Sequence, residues 1–303
     1  MYREFTYNAV LESSQRAAWQ IDDVLPETAE LDFTRPFLPE PLARTGSAEG
    51  LSDEERLVLN HIRGHEYLAM FGLVEEFILP FVIDHARPLL NGDDCRVRAL
   101  LQFAGEEAKH IQLFRRFRTT FQRGFGEDCA VIGPADAIGA AVLAHDPLSV
   151  ALAVLQIEWM TQAHYLESVR DDAGLEPLFK SLLRHHWMEE AQHAKLDTLM
   201  VEALAETRSA AEIQVAFEGY LEIGAFLDEG LRAQTQLNLA GLERRIGRPL
   251  PAPQRAKLEA QQHQAARWTF LGSGMAHPRF RDTLAELSPR LIDQLDAIAP
   301  QFA

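Results

Sequence analysis

Two copies of the motif Glu-x-x-His constrain the fold of this chain more than any other feature. The copies are Glu107–His110 and Glu190–His193, and they lie 83 residues apart. A further glutamate precedes each motif glutamate by the same 32 residues, Glu75 in the first half and Glu158 in the second. A four-helix bundle can bring four such carboxylates and two imidazoles together around two metal ions. The sequence therefore predicts a helical bundle with a dinuclear metal site.

The spacing within each motif suits an α-helix. Residues i and i+3 are separated by about 300° around the helix axis, so the carboxylate and the imidazole share one face. Glu75 also lies in an apolar series at three- and four-residue steps. A carboxylate in such a series is costly unless it is paired or bound to metal. Glu76 competes with Glu75 for this role, and the shared 32-residue spacing selects Glu75.

His186 is a candidate for one more metal ligand, because it precedes Glu190 by four residues. On the helical wheel His186 and His193 lie about 40° and 60° from Glu190, on the same side. The matching position in the first half is Phe103, so this ligand would belong to the second half only. A histidine of the core is the alternative. His185 points elsewhere and is not predicted to bind metal.

The residues around the motifs are harder to assign. One Glu-x-x-His alone also fits a surface salt bridge, whereas two copies with matched glutamates indicate a metal site. Glu106 and Glu189 directly precede the motif glutamates, and we expect both to face solvent. Asp197 follows His193 by four residues. It could orient the imidazole or lie in solvent, and the sequence leaves both alternatives open.

The composition bounds the class of protein. The chain has 303 residues, of which 47% are apolar, enough to build a large core. Its net charge of −16 argues against nucleic-acid binding, which needs a basic surface. No uninterrupted apolar run is long enough to span a membrane. With two cysteines and no signal-like N-terminus, a cytoplasmic protein is expected.

The pattern of prolines and helix signals divides the chain. Residues 1–50 are predicted to form an extended N-terminal arm with Trp19, Phe33 and Phe37 as anchors. Residues 51–303 are predicted to form one all-α, ferritin-like domain. Its four-helix core would span about residues 51–206, and additional C-terminal helices would span about 209–299.

Local signals indicate where the helices begin and end. Ser52 and Glu55 form a capping-box pattern, and Asp146 with Pro147 fits an N-cap followed by a proline at the first helical position. The glycines and prolines between the helices fit the breaks. The predicted helices are about 51–86, 93–122, 134–144, 147–171, 175–206, 209–246, 252–271 and 279–299.

These motifs resemble those of the ferritin-like diiron carboxylate proteins and, among them, the p-aminobenzoate N-oxygenase family. The similarity covers about residues 15–205. It is carried by the segments Leu31–Glu40, Val74–Glu76, Leu101–His110, Ile157–Trp159 and His186–His193. Members of that family are expected to add a third histidine to the usual ligands. The resemblance therefore implies seven metal ligands, which are Glu75, Glu107, His110, Glu158, His186, Glu190 and His193.

The resemblance also implies an activity and its partners. A non-haem diiron oxygenase would use two iron ions and O2 to oxidise a small organic substrate, by N-oxygenation of an amine in the family that the motifs resemble. Manganese in place of iron stays open. An external electron donor, a reductase or ferredoxin, would be required. Long helices with broad apolar faces often pair, so a homodimer is considered, although the sequence does not decide it.

Two other functions are alternatives. One is a ferritin-type protein for iron storage or oxidative stress, and the other is a dimanganese or radical-type metalloprotein. Ferritins are shorter single bundles that assemble into large shells. The predicted arm and the extra C-terminal helices argue against shell assembly and favour the oxygenase.

Overall fold

The N-terminal segment is held against the rest of the chain by short helices. The computed structural model describes residues 5–92 and 94–303, and every regular element within them is helical. The segment before residue 51 contains α1 (Tyr7–Ala17), α2 (Ile21–Val24) and α3 (Glu40–Ala43). The predicted extended arm thus includes an 11-residue helix that the sequence analysis did not predict. The division into an arm and one domain stays a prediction.

The middle of the chain forms two helical hairpins. Its elements are α4 (Asp53–Ala86), α5 (Asp94–Phe125), α6 (Ala135–Leu143), α7 (Pro147–His164) and α8 (Pro177–Ala205). Helix α4 packs along α5, and α7 packs along α8. The prediction of an all-α protein built on a four-helix bundle is confirmed.

The predicted caps fix the starts of two of these helices. The Ser52 hydroxyl accepts the backbone N–H of Glu55, while the Glu55 carboxylate accepts the backbone N–H of Ser52. The Asp146 carboxylate accepts the backbone N–H of Leu148, and Pro147 is the first residue of α7. Such contacts satisfy amide groups that have no partner within the helix.

The C-terminal third adds further helices around the bundle. They are α9 (Ala210–Ile246), α10 (Ala252–Arg267), α11 (Ser273–Ala276), α12 (Pro278–Leu287) and α13 (Pro289–Ile298). Helix α9 packs against both α4 and α7 and so covers one side of the two hairpins. Within the described residues, no helix is long and apolar enough to cross a membrane.

Three predicted helices differ from the structure. The break predicted between the helices at 272–274 is wrong, because a π-helical turn, Trp268–Gly272, leads directly into α11 at Ser273. The helix predicted over 279–299 is wrong as a single element, because Ser288 is extended, with φ −168°, between α12 and α13. Pro289 disfavours a helical conformation in the residue before it and donates no hydrogen bond. Helix α7 ends in a π-helical turn, Tyr165–Val169, where the sequence predicted one continuous helix. Such turns are frequent near functional sites.

Candidate metal centre

The seven residues predicted as ligands all lie in the interior. Each side chain belongs to one of the four long helices and is at most 2% exposed. Helix α4 contributes Glu75, α5 contributes Glu107 and His110, α7 contributes Glu158, and α8 contributes His186, Glu190 and His193. The two hairpins therefore bring the matched motifs together, as their spacing predicts.

Six of the seven residues form two overlapping groups of donor atoms. Within each group the atoms lie within 4.8 Å of one another. The groups are Glu75, His110, His186 and Glu190, and Glu107, His110, Glu190 and His193. His110 and Glu190 belong to both groups, so the arrangement suits two ions that share neighbouring ligands.

Glu190 lies at the centre of the three histidines. Its Oε1 atom is 2.9 Å from Nδ1 of His110 and 2.9 Å from Nε2 of His186. Its Oε2 atom is 3.2 Å from Nδ1 of His193. One carboxylate thus presents its two oxygens to different imidazoles, as a carboxylate between two metal ions would.

Several donor atoms at this centre have no hydrogen-bond partner. These buried atoms are Oε2 of Glu75, Oε2 of Glu107 and Oε2 of Glu158. A buried polar atom without a partner is costly, and a buried unpaired carboxylate more so. The residues therefore fit a pair of cations, which would satisfy these atoms together.

The pKa values of the carboxylates also indicate that this cluster is suited to cations. Burial, together with the nearby carboxylates Glu107 and Glu190, raises the pKa of Glu75 well above its usual value. Burial and Glu190 likewise raise the pKa of Glu107. Burial also acts against ionisation of Glu190, but the imidazoles of His186 and His193 outweigh it and lower its pKa. Without a metal, this cluster retains protons that cations would displace.

Glu158 lies beside Glu190 and outside the two compact groups. Burial and the Glu190 carboxylate raise the pKa of Glu158. In the absence of metal, Glu158 therefore tends to retain its proton. Glu158 is therefore placed to become a ligand once that proton is displaced.

Each motif histidine is oriented by a glutamate from the opposite hairpin. Nε2 of His193 lies 2.9 Å from Oε2 of Glu106, and Nε2 of His110 lies 2.8 Å from Oε2 of Glu189. Both ring contacts leave Nδ1 facing the centre. A carboxylate at this position fixes the tautomer and direction of a ligating imidazole.

The expectation that Glu106 and Glu189 face solvent is therefore wrong. Their side chains are 3% and 0% exposed, because α5 and α8 face each other and each carboxylate crosses to the other helix. The sequence does contain a signal for this contact. Both motifs read Glu-Glu-x-x-His, so the doubling of the glutamate is itself repeated.

Asp197 is also buried, at 1% exposure, so the solvated alternative is wrong. Neither of its carboxylate oxygens has a hydrogen-bond partner among the described residues, and the other alternative, a bond to His193, is not formed. Burial raises its pKa well above the usual value.

The N-terminal segment contacts the centre directly, which spacing did not predict. The Ser14 hydroxyl donates a hydrogen bond to Glu106. The Trp19 ring stacks on His110, with ring centroids 5.8 Å apart and planes inclined by 12°. The Lys109 ammonium lies 3.9 Å from the centre of the Trp19 ring and forms an ion pair with Glu189. Trp19 is thus a buried anchor, as predicted, and it covers one motif histidine.

An apolar cavity of about 360 Å³ lies one side chain away from the centre, and none of the seven ligand candidates lines it. Its wall includes Phe71 and Val74 on α4 and Ile157 and Met160 on α7, which flank Glu75 and Glu158 in the sequence. The Phe71 ring also meets the His186 ring edge to face, with centroids 5.3 Å apart. The cavity therefore lies beside the ligand cluster and has room for a small organic molecule.

Comparison with known proteins identifies the family. The family model described as p-aminobenzoate N-oxygenase AurF matches residues 2–246. The chain belongs to this p-aminobenzoate N-oxygenase family. Membership confirms the predicted resemblance and the predicted class of enzyme, a non-haem, metal-dependent oxidase or oxygenase that uses O2 with an iron cofactor.

Solved structures show more distant similarity, and three of them are point mutants of an R2-like ligand-binding oxidase. One with an anaerobically reconstituted Mn/Fe cofactor is 15% identical at a TM-score of 0.48, covering 89% of this chain and 94% of that one. Another, with an aerobically reconstituted Mn/Fe cofactor, is 16% identical at a TM-score of 0.45, covering 100% and 95%. A third, with an Fe/Fe cofactor, is 17% identical at 0.45, with the same coverage. No curated protein matches the chain.

Proposed function

We propose that this protein is a diiron oxygenase that oxidises the nitrogen of a small organic amine. Glu75, Glu107, His110, Glu158, His186, Glu190 and His193 would hold the two iron ions. Family membership supports an N-oxygenation, since the matching family is described as p-aminobenzoate N-oxygenase. O2 would be the co-substrate, and the iron pair would supply electrons to it.

One observation carries this proposal. Four buried glutamates converge with three buried histidines, and several of the carboxylate oxygens have no hydrogen-bond partner. Four carboxylates would neutralise two Fe(II) ions, while neutral imidazoles would add no charge. A donor set of oxygen and nitrogen atoms without sulfur is also suited to iron of this type.

The chain itself would supply orientation and the exclusion of water. Glu106 and Glu189 hold the Nε2 atoms of two imidazoles, so that Nδ1 of each ring would be available to bind an ion. His186 presents the other ring atom, since its Nε2 is 3.0 Å from Oε1 of Glu75. The apolar cavity would admit the substrate beside these ligands and keep bulk water away from the reacting nitrogen.

Iron stoichiometry and amine oxidation test the proposal together. Protein loaded anaerobically with Fe(II) is expected to bind two irons per chain and, given a reductant and O2, to convert an arylamine to an N-oxygenated product. Glu107→Ala is expected to lose at least one iron. The matched control is Glu76→Gln, because Glu76 forms an ion pair with Arg115. An iron content of one or less per saturated wild-type chain would contradict the proposal.

Other features of the protein remain part of this proposal. An external reductase or ferredoxin would deliver electrons, and a homodimer and a cytoplasmic location are retained. Cys95 and Cys129 would be reduced in such a compartment. The assignment of residues 1–50 as an arm and 51–303 as one domain is retained as well.

A further inference from the structure

The cavity beside the ligand cluster is apolar almost throughout. Among the described residues that line it, Glu229 is the only one with an ionisable side chain, and the others are apolar or glycine. The deep wall includes Phe71, Ile157 and Met160, all of them buried. A bound molecule would therefore exchange water for hydrocarbon over most of its surface.

The mouth of the cavity lies between α9 and the segment that leads into α6. Phe226 and Glu229 on α9 are exposed there, and Ile132 and Gly133 lie opposite. The one charge at the entrance is thus negative. The lining described by the structure contains no arginine, lysine or histidine that could pair with an anion.

These features define which amines can bind. Resting on the proposed function, we propose that the cavity selects amines whose remaining part is apolar and uncharged, and that it discriminates against amines that carry a carboxylate. A carboxylate in this cavity would lose its hydration without gaining a cation or a hydrogen-bond donor. At the mouth it would also meet the like charge of Glu229.

This selectivity differs from what the family description suggests. The described family substrate, p-aminobenzoate, carries a carboxylate opposite its amine. With the amine directed toward the ligand cluster, that carboxylate would lie in the apolar part of the cavity or at Glu229. The substrate of this protein would then have a neutral or apolar group at the position of the carboxylate.

A second cavity offers the rival site for an anion. It has a volume of about 380 Å³, lies on the other side of Leu73, and is lined in part by Arg115 and Arg118. Arg115 is already paired with Glu76 over 2.7 Å. Binding of an anionic amine at Arg118 would therefore be an alternative to the proposed selectivity, and a variant can detect it.

A matched pair of probes tests the proposal. 4-Aminoacetophenone and 4-aminobenzoate are both arylamines of similar size, and at neutral pH they differ chiefly in the negative charge. Isothermal titration calorimetry on the iron-loaded protein under anaerobic conditions is expected to give a Kd for 4-aminoacetophenone that is lower by about tenfold or more. Equal affinities, or tighter binding of 4-aminobenzoate, would overturn the proposal.

Glycine variants on α9 locate the binding site. A Cβ at Gly230 would lie 3.2 Å from Cδ1 of Ile132 at the mouth, whereas a Cβ at Gly224 would meet nothing within 4 Å. Gly230→Leu is expected to weaken 4-aminoacetophenone binding by about tenfold, and Gly224→Leu is expected to leave it unchanged. Ala233→Leu, at an exposed position of the same lining, repeats the test if Gly230→Leu does not fold.

Charge variants test the source of the selectivity. Glu229→Lys is expected to narrow the ratio of the two affinities by a few-fold, because it replaces a like charge with an opposite one. Glu222→Lys on the same helix, outside the cavity lining, is the control and is expected to leave the ratio unchanged. If 4-aminobenzoate binds tightly and Arg118→Ala abolishes that binding, the anion occupies the second cavity and the proposal is wrong.

The test separates this proposal from the proposed function. Two irons per chain with no preference for the uncharged probe would refute the selectivity and leave the diiron assignment standing. A clear preference for the uncharged probe in protein that binds no iron would support the selectivity and refute the diiron assignment. Metal content is therefore measured on the same samples as the affinities.

Discussion

Nε2 of His193 lies 2.9 Å from Oε2 of Glu106, a residue of the opposite hairpin. The reciprocal contact joins His110 to Glu189 over 2.8 Å. Each motif therefore supplies two ligand candidates, a glutamate and a histidine, and one carboxylate that orients a histidine of the other hairpin. This exchange explains why the motif contains two adjacent glutamates, and it ties the two hairpins together around the centre.

Removal of these orienting carboxylates should weaken metal binding without removing a ligand. Glu106→Gln and Glu189→Gln are each expected to lower the affinity for Fe(II) by about 10- to 100-fold, because the imidazole becomes less basic and less well oriented. Competition with a coloured chelator under anaerobic conditions measures the change. Glu76→Gln serves as the control for a nearby glutamate outside the cluster. Unchanged affinities in both variants would show that the contacts do not support the ligands.

His186 should contribute to one ion of the pair more than to the other. Its Nε2 lies 3.0 Å from Glu75 and 2.9 Å from Glu190, which places it in only one of the two donor groups. His186→Ala is expected to weaken the binding of one iron by about tenfold or more and to retain the other. His185→Ala is the matched control, since His185 instead contacts the backbone oxygen of Ser181. Two irons bound with wild-type affinity in His186→Ala would remove His186 from the ligands.

Glu75→Gln should make the metal-free protein more stable than the wild type at alkaline pH. It should also reduce the stabilisation that added Fe(II) provides. Because the pKa of Glu75 is raised in the folded state, the folded chain holds a proton that the unfolded chain releases above pH 4.5. The stability that this proton contributes is full below pH 4.5. It falls as pH rises from there through the folded pKa, by up to about 1.4 kcal/mol per pH unit. The glutamine side chain does not titrate, so the variant lacks this pH dependence.

Chemical denaturation between pH 5 and 9, in the presence of a chelator, measures this difference. The metal-free variant is expected to lose less stability than the wild type as pH rises. Added Fe(II) is expected to stabilise the wild type more than the variant, because binding to the folded state alone raises stability with ligand concentration. Parallel pH profiles of the two metal-free proteins would contradict the prediction.

His65 should make the protein less stable in acid. Burial, with a smaller contribution from Arg118, lowers the pKa of His65 from 6.5 to about 3. The unfolded chain therefore binds a proton that the folded chain excludes between these values, and stability falls as pH drops below 6.5. The His65 imidazole packs against the Phe121 ring. His65→Phe keeps an aromatic ring at this position and removes the titratable group.

The difference between wild type and His65→Phe isolates this effect from the other titrating groups. From pH 6.5 toward pH 4, the free energy of unfolding of the wild type is expected to fall faster by up to about 1.4 kcal/mol per pH unit. Above pH 7 the difference should be constant. A constant difference across the whole range would show that His65 has the same pKa in the folded and unfolded states.

The sequence predicted the bundle because local signals agreed with its long-range pattern. Ser52 with Glu55 and Asp146 with Pro147 mark helix starts that the structure contains. Ser288 shows the limit of such reasoning. The apolar pattern over 279–299 is compatible with one helix, but the helix is interrupted at Ser288, directly before Pro289. Local chemistry predicts most helix ends, but a single residue can divide an element.

The sequence by itself predicted six of the seven ligand candidates, because spacings of three and 32 residues place them on matching faces of paired helices. His186 was added by its four-residue step from Glu190 and by the family resemblance. Only the tertiary structure decided which residues support them. Glu106 and Glu189 reach histidines 87 and 79 residues away, and Trp19 covers His110 from the N-terminal segment. These contacts depend on how α1, α5 and α8 pack against one another. Periodicity along one helix does not show how a second helix will pack against it. The spacing alone therefore led to the wrong prediction that Glu106 and Glu189 face solvent.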